Sequence, residues 1–427
     1  ARSSARNLGQ EELQISHLSN GLTICSRDIG GPVAQIILAF RAGPRYEEPN
    51  EFGLTHHLRN CVGIDSNNAY GAELLQQCHE AGVGLFSHLT RDFFAVHGSV
   101  VREKVPFVVP LICELAQPAF KPWDIEHVVE SVRNDLLYRK PHDLLMDHLH
   151  RAAFRTEPLG NAIFAGEEVV GKFKDGDLRR FADSRLVSGQ GCLIGINVDH
   201  QCLLNYAEAH LQIKEKPGKK GCGSKYLGGE SRNNFHSKRA YVAIAGEGSS
   251  IRNLKGLAIQ SVLLALLTNG KTVKYGAYPS GVVAEAVHKK SGSYPFEMSA
   301  IKEAYWDSGL IGICISAEDD IISPLVKATV NALKSFEIDD NMLEKAKRIA
   351  ALNCMVEYEN SFNGGLELTA QALATDVIAS LPTFLEFVDK VTKKDVEKAA
   401  VSMKSKLAIA AVGNIHEVPY LDELLQN

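Results

Sequence analysis

Gly53-Leu54-Thr55-His56-His57-Leu58-Arg59-Asn60 is the stretch on which the reading of this 427-residue chain turns. In a His-x-x-Glu-His pattern on a helix, one turn brings two imidazoles onto one face as metal ligands, and the Glu beside them serves as general base. Set in that frame, His56 takes the first histidine position, Arg59 the Glu position and Asn60 the second histidine position. A guanidinium cannot act as a base near neutral pH. It also places a fixed positive charge where a dication would sit, and Coulomb repulsion at contact range opposes binding. An amide is a far weaker zinc ligand than an imidazole. The helix of a zinc site is therefore expected here with its chemistry disarmed. The plain alternative for His56-His57 is a packed or solvated pair at the start of an apolar turn.

Composition sets the frame around this stretch. Apolar residues make up 45% and charged residues 23%, the balance of ordinary globular proteins, and the length calls for two or more domains. No apolar run approaches the ~18 residues that span a bilayer, so membrane attachment is expected only through partners. The formal net charge of −5 argues against nucleic acid as the main partner. The nine Cys are scattered without a C-x-x-C pair, which reads as reduced thiols and not as a disulfide frame or zinc ribbon. Ala1-Arg2-Ser3-Ser4-Ala5-Arg6-Asn7 has Arg and Ser but no acid, the texture of a transit-peptide remnant.

Short alternating runs around Asn20-Gly21 predict a hairpin, and residues 33–42 a buried strand. Helices are expected over 72–81, stopped by Gly82, and over 123–139, 144–154 and 177–187; 104–117 has helical period but carries Pro106 and Pro110. Strands are expected over 83–88, 93–101 and 192–198. The Gly- and Lys-rich stretch 215–230 reads as a flexible linker between residues 1–214 and 231–427. The second part repeats the first. Asp177 within 170–182 answers to Asp395 within 388–400, Leu193–His200 answers to Ile409–His416, and Phe120 answers to Phe336, at offsets of 218, 216 and 216 residues. The fold class expected is α+β: two homologous domains related by duplication, each a mostly antiparallel sheet, with helices on one face.

Several elements carry a resemblance to the mitochondrial processing peptidase/pitrilysin family across essentially the whole chain. They are Gly53-x-x-His56-x-Leu58, Glu80-Ala81-Gly82-Val83-Gly84-Leu85, Asn20-Gly21-Leu22, Tyr305-Trp306-Asp307-Ser308-Gly309-Leu310 and the ending Pro419-Tyr420-Leu421-Asp422-Glu423-Leu424. The resemblance implies a third metal position, a Glu in active members, on the helix over 123–139. It falls at Asn134, with Asp135 next to it. The degenerate zinc-site positions are then His56, Arg59, Asn60 and Asn134, with no catalytic residue, no metal and no cofactor.

Within the family the match implies a non-catalytic core subunit of a mitochondrial respiratory complex, peripheral to the inner membrane on its matrix side. The partners implied are core protein 1, cytochrome b, cytochrome c1, the Rieske iron-sulfur subunit and small subunits. Two alternatives belong to other classes. One is an active zinc peptidase that completes its site across subunits. The other is the presequence-binding, non-catalytic α subunit of the processing peptidase, whose long glycine-rich loop this chain replaces over 267–276 with only Gly270 and Gly276.

Overall fold

The structure is a computed structural model that describes residues 13–426 apart from 212, 220, 269–279, 336 and 376–377. Residues 1–7 and all but the first two residues of the 267–276 loop lie outside them. The chain divides into two compact units. One comprises Ala1–Leu137, Ile163–Cys222 and Glu357–Ile378; the other comprises Tyr138–Ala162, Gly223–Val356 and Ala379–Asn427.

The first unit is built on β1 (Leu13–His17), β2 (Thr23–Arg27), β3 (Val33–Phe40), β4 (Gly84–Leu89), β5 (Phe94–Val101) and β6 (Gly191–Ile196). Their order in the sheet is β1-β2-β6-β3-β5-β4, antiparallel throughout except for β2 with β6. The β1–β2 hairpin turns at Asn20-Gly21, with Gly21 at φ +88°. The second unit contains β7 (Gly229–Asn234), β8 (Arg239–Gly248), β9 (Phe296–Ala304), β10 (Gly309–Glu318) and β11 (Ala408–Gly413), ordered β7-β11-β8-β10-β9. Only β7 with β11 is parallel. Strand for strand, β2-β6-β3-β5-β4 and β7-β11-β8-β10-β9 are the same topology, and β1 is an addition to the first copy. The α+β class, the duplication and the mostly antiparallel sheets expected from the sequence are all present.

The repeated aspartates mark the same device twice. Asp177 accepts the backbone N–H of Lys174 at 3.1 Å, and Asp395 accepts that of Thr392 at 3.1 Å, each closing the first turn of its helix. The helix over Val105–Leu115 continues through Pro110 without a break.

The helices do not keep to one face of each sheet. β3 is buried on both sides, with Ile36, Leu38 and Phe40 in one core and Ile37 and Ala39 in another. The Ser361–Ala374 helix supplies Leu368, Ala372 and Leu373 to the second of these cores. Gly365 lets it approach, since a Cβ there would lie 2.9 Å from Ile37 Cδ1. In the other unit the Pro141–Phe154 helix does the same service, with Leu145, Leu149 and Phe154 packed against Ala243, Ala245, Ala408 and Ala410. Each sheet therefore has one face closed by a helix from the opposite half of the sequence. Burying each such Leu or Phe is worth about 1.5–3 kcal/mol. A bare sheet face would forfeit that gain, which is why helices on one face do not suffice for strands apolar on both sides.

The 215–230 stretch has little regular structure but is pinned. Ser188 and Gly189 donate their backbone N–H groups to the carbonyls of Lys214 and Lys216, and Ser224 donates its own to Asp307. One of the points at which the chain passes between the two units lies in this stretch, at Cys222 and Gly223. Among the described residues no helix is long and apolar enough to cross a membrane.

Candidate functional site

The short helix Leu54–Arg59 begins at Gly53, held at φ +90°. A β-carbon on Gly53 would fall 2.8 Å from that of Ala165. Glu47 closes the helix start. Its buried carboxyl accepts the N–H of Gly53 at 3.0 Å, the N–H of Thr55 at 2.7 Å and the Thr55 hydroxyl at 2.7 Å. Burial pushes its pKa up to about 7 against the pull of those donors. Six residues of helix suffice to turn His56 and His57 to different partners.

His56 is fully buried. Its Nδ1 accepts the N–H of Ala165 at 3.1 Å, so in the neutral ring the proton sits on Nε2, which donates to Asp135 Oδ2 at 3.0 Å. Phe164 packs edge-on against the ring at 5.2 Å between centroids. Arg59 donates to the same Oδ2, and Asn60 donates to it at 2.8 Å while giving a second hydrogen bond to His56 O at 3.1 Å. Burial of Asp135 works against ionisation. The hydrogen bonds from His56 and Asn60 and the Arg59 charge outweigh it and hold the carboxyl at about 2.

Asn134 is not part of this cluster. It lies on the exposed side of the Pro122–Leu137 helix, and one residue on, about 100° round the helix, Asp135 reaches the Leu54–Arg59 helix. Of the two neighbours, it is Asp135 and not Asn134 that meets His56, Arg59 and Asn60. His57 is turned away. Its Nδ1 donates to Gly53 O at 2.8 Å, and its ring meets Phe173 edge-on at 5.2 Å.

These residues do not form a donor set for a divalent metal. The one imidazole has both nitrogens committed, and the one carboxylate is neutralised by a guanidinium within the first coordination distance. Arg59, at the position where the His-x-x-Glu-His pattern has its Glu, is paired with Asp135. What these residues do form is an ion-paired clasp between two helices. Among the described residues no group of three or more His, Cys, Asp or Glu side chains is gathered for a metal.

Beside the clasp runs a second polar string, through His88 and His97. His88 Nε2 lies 3.1 Å from His97 Nδ1, His97 Nε2 lies 2.8 Å from Gln35 Oε1, and Gln35 Nε2 donates to Ser361 Oγ at 3.3 Å. Phe362 lies across both rings, 4.4 Å from His97 and 5.5 Å from His88. Burial and the neighbouring His88 press the pKa of His97 down to about 3. The alternation on β4 and β5 could have flagged His88 and His97 as one-sided, but nothing local linked them to residue 361.

Residues 23–167 match the insulinase (peptidase family M16) domain. Over 98% of its length the chain is 29% identical to cytochrome b-c1 complex subunit 2, mitochondrial, of Rattus norvegicus, covering 93% of that protein. The human counterpart is 27% identical, with 97% of this chain and 92% of that one covered. The mitochondrial-processing peptidase subunit alpha of Solanum tuberosum is 23% identical, with 96% and 83% covered. A chain of complex III2 from Candida albicans superposes with a TM-score of 0.83 over 97% of this chain and 99% of that one, at 18% identity, a likeness of fold. Residues 23–167 thus resemble an insulinase-type (peptidase family M16) domain, in a chain that is similar to mitochondrial cytochrome b-c1 complex subunit 2 over nearly its whole length.

Proposed function

We propose that this chain is a non-catalytic core subunit of mitochondrial ubiquinol–cytochrome c reductase, of the kind called core protein 2. It lies peripherally on the matrix side of the inner membrane, paired with core protein 1 and beneath cytochrome b, cytochrome c1 and the Rieske subunit. Residues 1–214 and 231–427 are the two copies of the ancestral unit. His56, Arg59, Asn60 and Asp135 are what remains of its metal site, now spent on structure. The observation that carries the non-catalytic reading is the Asp135 carboxylate, whose Oδ2 takes Arg59, Asn60 and His56 together. The near full-length similarity to subunit 2 of the cytochrome b-c1 complex supports the choice of complex.

Similarity to processing-peptidase α subunits favours one other reading, capture of basic amphipathic presequences by a soluble heterodimer. Purification from mildly solubilised mitochondrial membranes separates the two. The core-subunit reading expects the chain in a particle with b- and c-type haem, without stoichiometric zinc. A haem-free heterodimer that binds presequence peptides would replace it. Zinc at one per chain together with chelator-sensitive peptide cleavage would overturn the non-catalytic assignment.

A further inference from the structure

Among the described residues the first sheet has six strands and its duplicate five, and the difference lies at one edge. In the first sheet β1 lies antiparallel on β2, and His200 fastens the two together. One ring nitrogen meets Ser16 Oγ on β1 at 2.8 Å and the other meets Ser26 Oγ on β2 at 2.8 Å. In the second sheet β7 stands where β2 stands in the first, parallel to β11 as β2 is to β6. Among the described residues no strand lies beyond it. The counterpart of His200 is His416. Its Nε2 lies 3.4 Å from Asn234 Nδ2 on β7, and among the described residues its other nitrogen has no partner. Half of the fastening is present and the strand it would fasten is not.

The open edge has a defined set of hydrogen-bonding groups. Gly229 and Phe235 donate their N–H groups inward, to Leu407 O at 3.4 Å and Gly413 O at 3.2 Å. A residue in a parallel ladder presents its N–H and C=O to the same side, so Glu230, Arg232 and Asn234 turn theirs outward. Edge strands usually guard such a row with free charges. Here those charges are tied down. Arg232 donates to Ile415 O at 3.0 Å and Val418 O at 2.7 Å and lies over the Tyr420 ring at 4.2 Å, while Glu230 accepts the N–H of Leu421 at 3.1 Å.

The flank of this edge carries two arginines. Along the Pro141–Phe154 helix, His148 meets Ser231 Oγ at 2.8 Å and Asn233 Nδ2 at 3.2 Å, and just past the helix end Arg155 donates to Gly228 O at 3.1 Å. Arg151 stands exposed between them. We propose that β7 is completed by an extended, acid-bearing segment of a different polypeptide. It would be added antiparallel as β1 is added to β2, with His416 taking the part of His200 and a carboxylate meeting Arg151. A second copy of this chain fits worse, because two-fold pairing of β7 with itself sets two Arg151 flanks against each other. The inference stands apart from the identity of the complex, since it concerns whichever polypeptides accompany the chain.

The test uses the chain purified with its native partners and a photo-cross-linking p-benzoylphenylalanine in place of Glu417, beside His416. The expected result is cross-links to one short acidic segment of a different polypeptide. The amides of Glu230 and Arg232 should also exchange at least ~10-fold more slowly than in the isolated chain. Asn234→Pro removes an outward N–H without touching the ladder to β11, and should abolish both signals; Asn234→Ala should retain them. Amides that exchange equally fast in both preparations would overturn the proposal, as would cross-links to a second copy or to residues 1–12 of the same chain. So would purification of the chain alone with the edge unprotected, or an Asn234→Pro variant that keeps both signals.

Discussion

The Asn60 side-chain amide donates to the Asp135 carboxylate across 2.8 Å, on the oxygen that also takes Arg59 and His56. On the proposed reading an amide and a guanidinium stand in for a ligand and a base, and the Asp135 carboxylate is the hub of a helix-to-helix contact. If that is the history of the site, the geometry should still be close to that of a metal centre. The double variant R59E/N60H removes the fixed charge and offers a second imidazole one turn from His56, with Asp135 as the third ligand. Metal analysis of the purified variant should find zinc near one per chain, against a substoichiometric amount in the parent. A variant that folds with the parent's circular dichroism and takes up no zinc would show that the helices have drifted out of register.

Asp135→Ala leaves the Arg59 guanidinium without its partner at a site where Arg59 is only 20% exposed. The cost expected is about 1–3 kcal/mol, read from the urea midpoint, because an unpaired, mostly buried donor loses more than the bond was worth. Arg59→Leu in the same background should recover part of the loss.

Acid should loosen the first unit in two stages. The His97 imidazole is held at about 3 against an ordinary 6.5. The unfolded chain therefore takes up a proton below pH 6.5 that the folded chain refuses, and this stability is complete above 6.5 and falls as pH drops toward 3. Asp135 is held at about 2 against 3.8, so its contribution is present above 3.8 and is lost as pH falls through 2. Denaturation midpoints measured from pH 7 to 3 should decline more steeply in the parent than in His97→Leu. That variant starts about 1–3 kcal/mol lower, because Gln35 loses its partner, but carries no titrating ring.

Thr392 and Lys174 open equivalent helices with unequal equipment. Thr392 Oγ1 accepts the N–H of Asp395 at 3.3 Å, whereas an ammonium at position 174 has nothing with which to accept. Thr392→Ala should cost about 1 kcal/mol, and Lys174→Thr should gain several tenths of a kcal/mol or more, both in thermal melts. Equal and null effects at the two positions would show that the caps carry no weight.

The repeat was legible because side-chain chemistry at helix starts, such as Asp177 and Asp395, recurs at a fixed spacing. The hairpin at Asn20-Gly21 and the stop at Gly82 were legible because each needs a residue that tolerates positive φ. That His56 and Arg59 share one short helix with Asn60 at its end could be read from the sequence, since their spacing sets them within one turn. The choice between Asn134 and Asp135 could not, because one residue on a helix turns a side chain from solvent to site. Nor could the sequence say which sheet the 141–154 and 361–374 helices would cover. An amphipathic face requires an apolar partner but does not name it.

That last arrangement reaches back to synthesis. A nascent first half emerging from the ribosome carries a sheet whose Ile37 and Ala39 face nothing until the Ser361–Ala374 helix has been made. The lag is more than three hundred residues of translation, during which a sticky surface must be shielded by a chaperone or lost to aggregation. Neither half can be expected to mature by itself, and a truncated message would yield not a smaller working piece but a substrate for quality control.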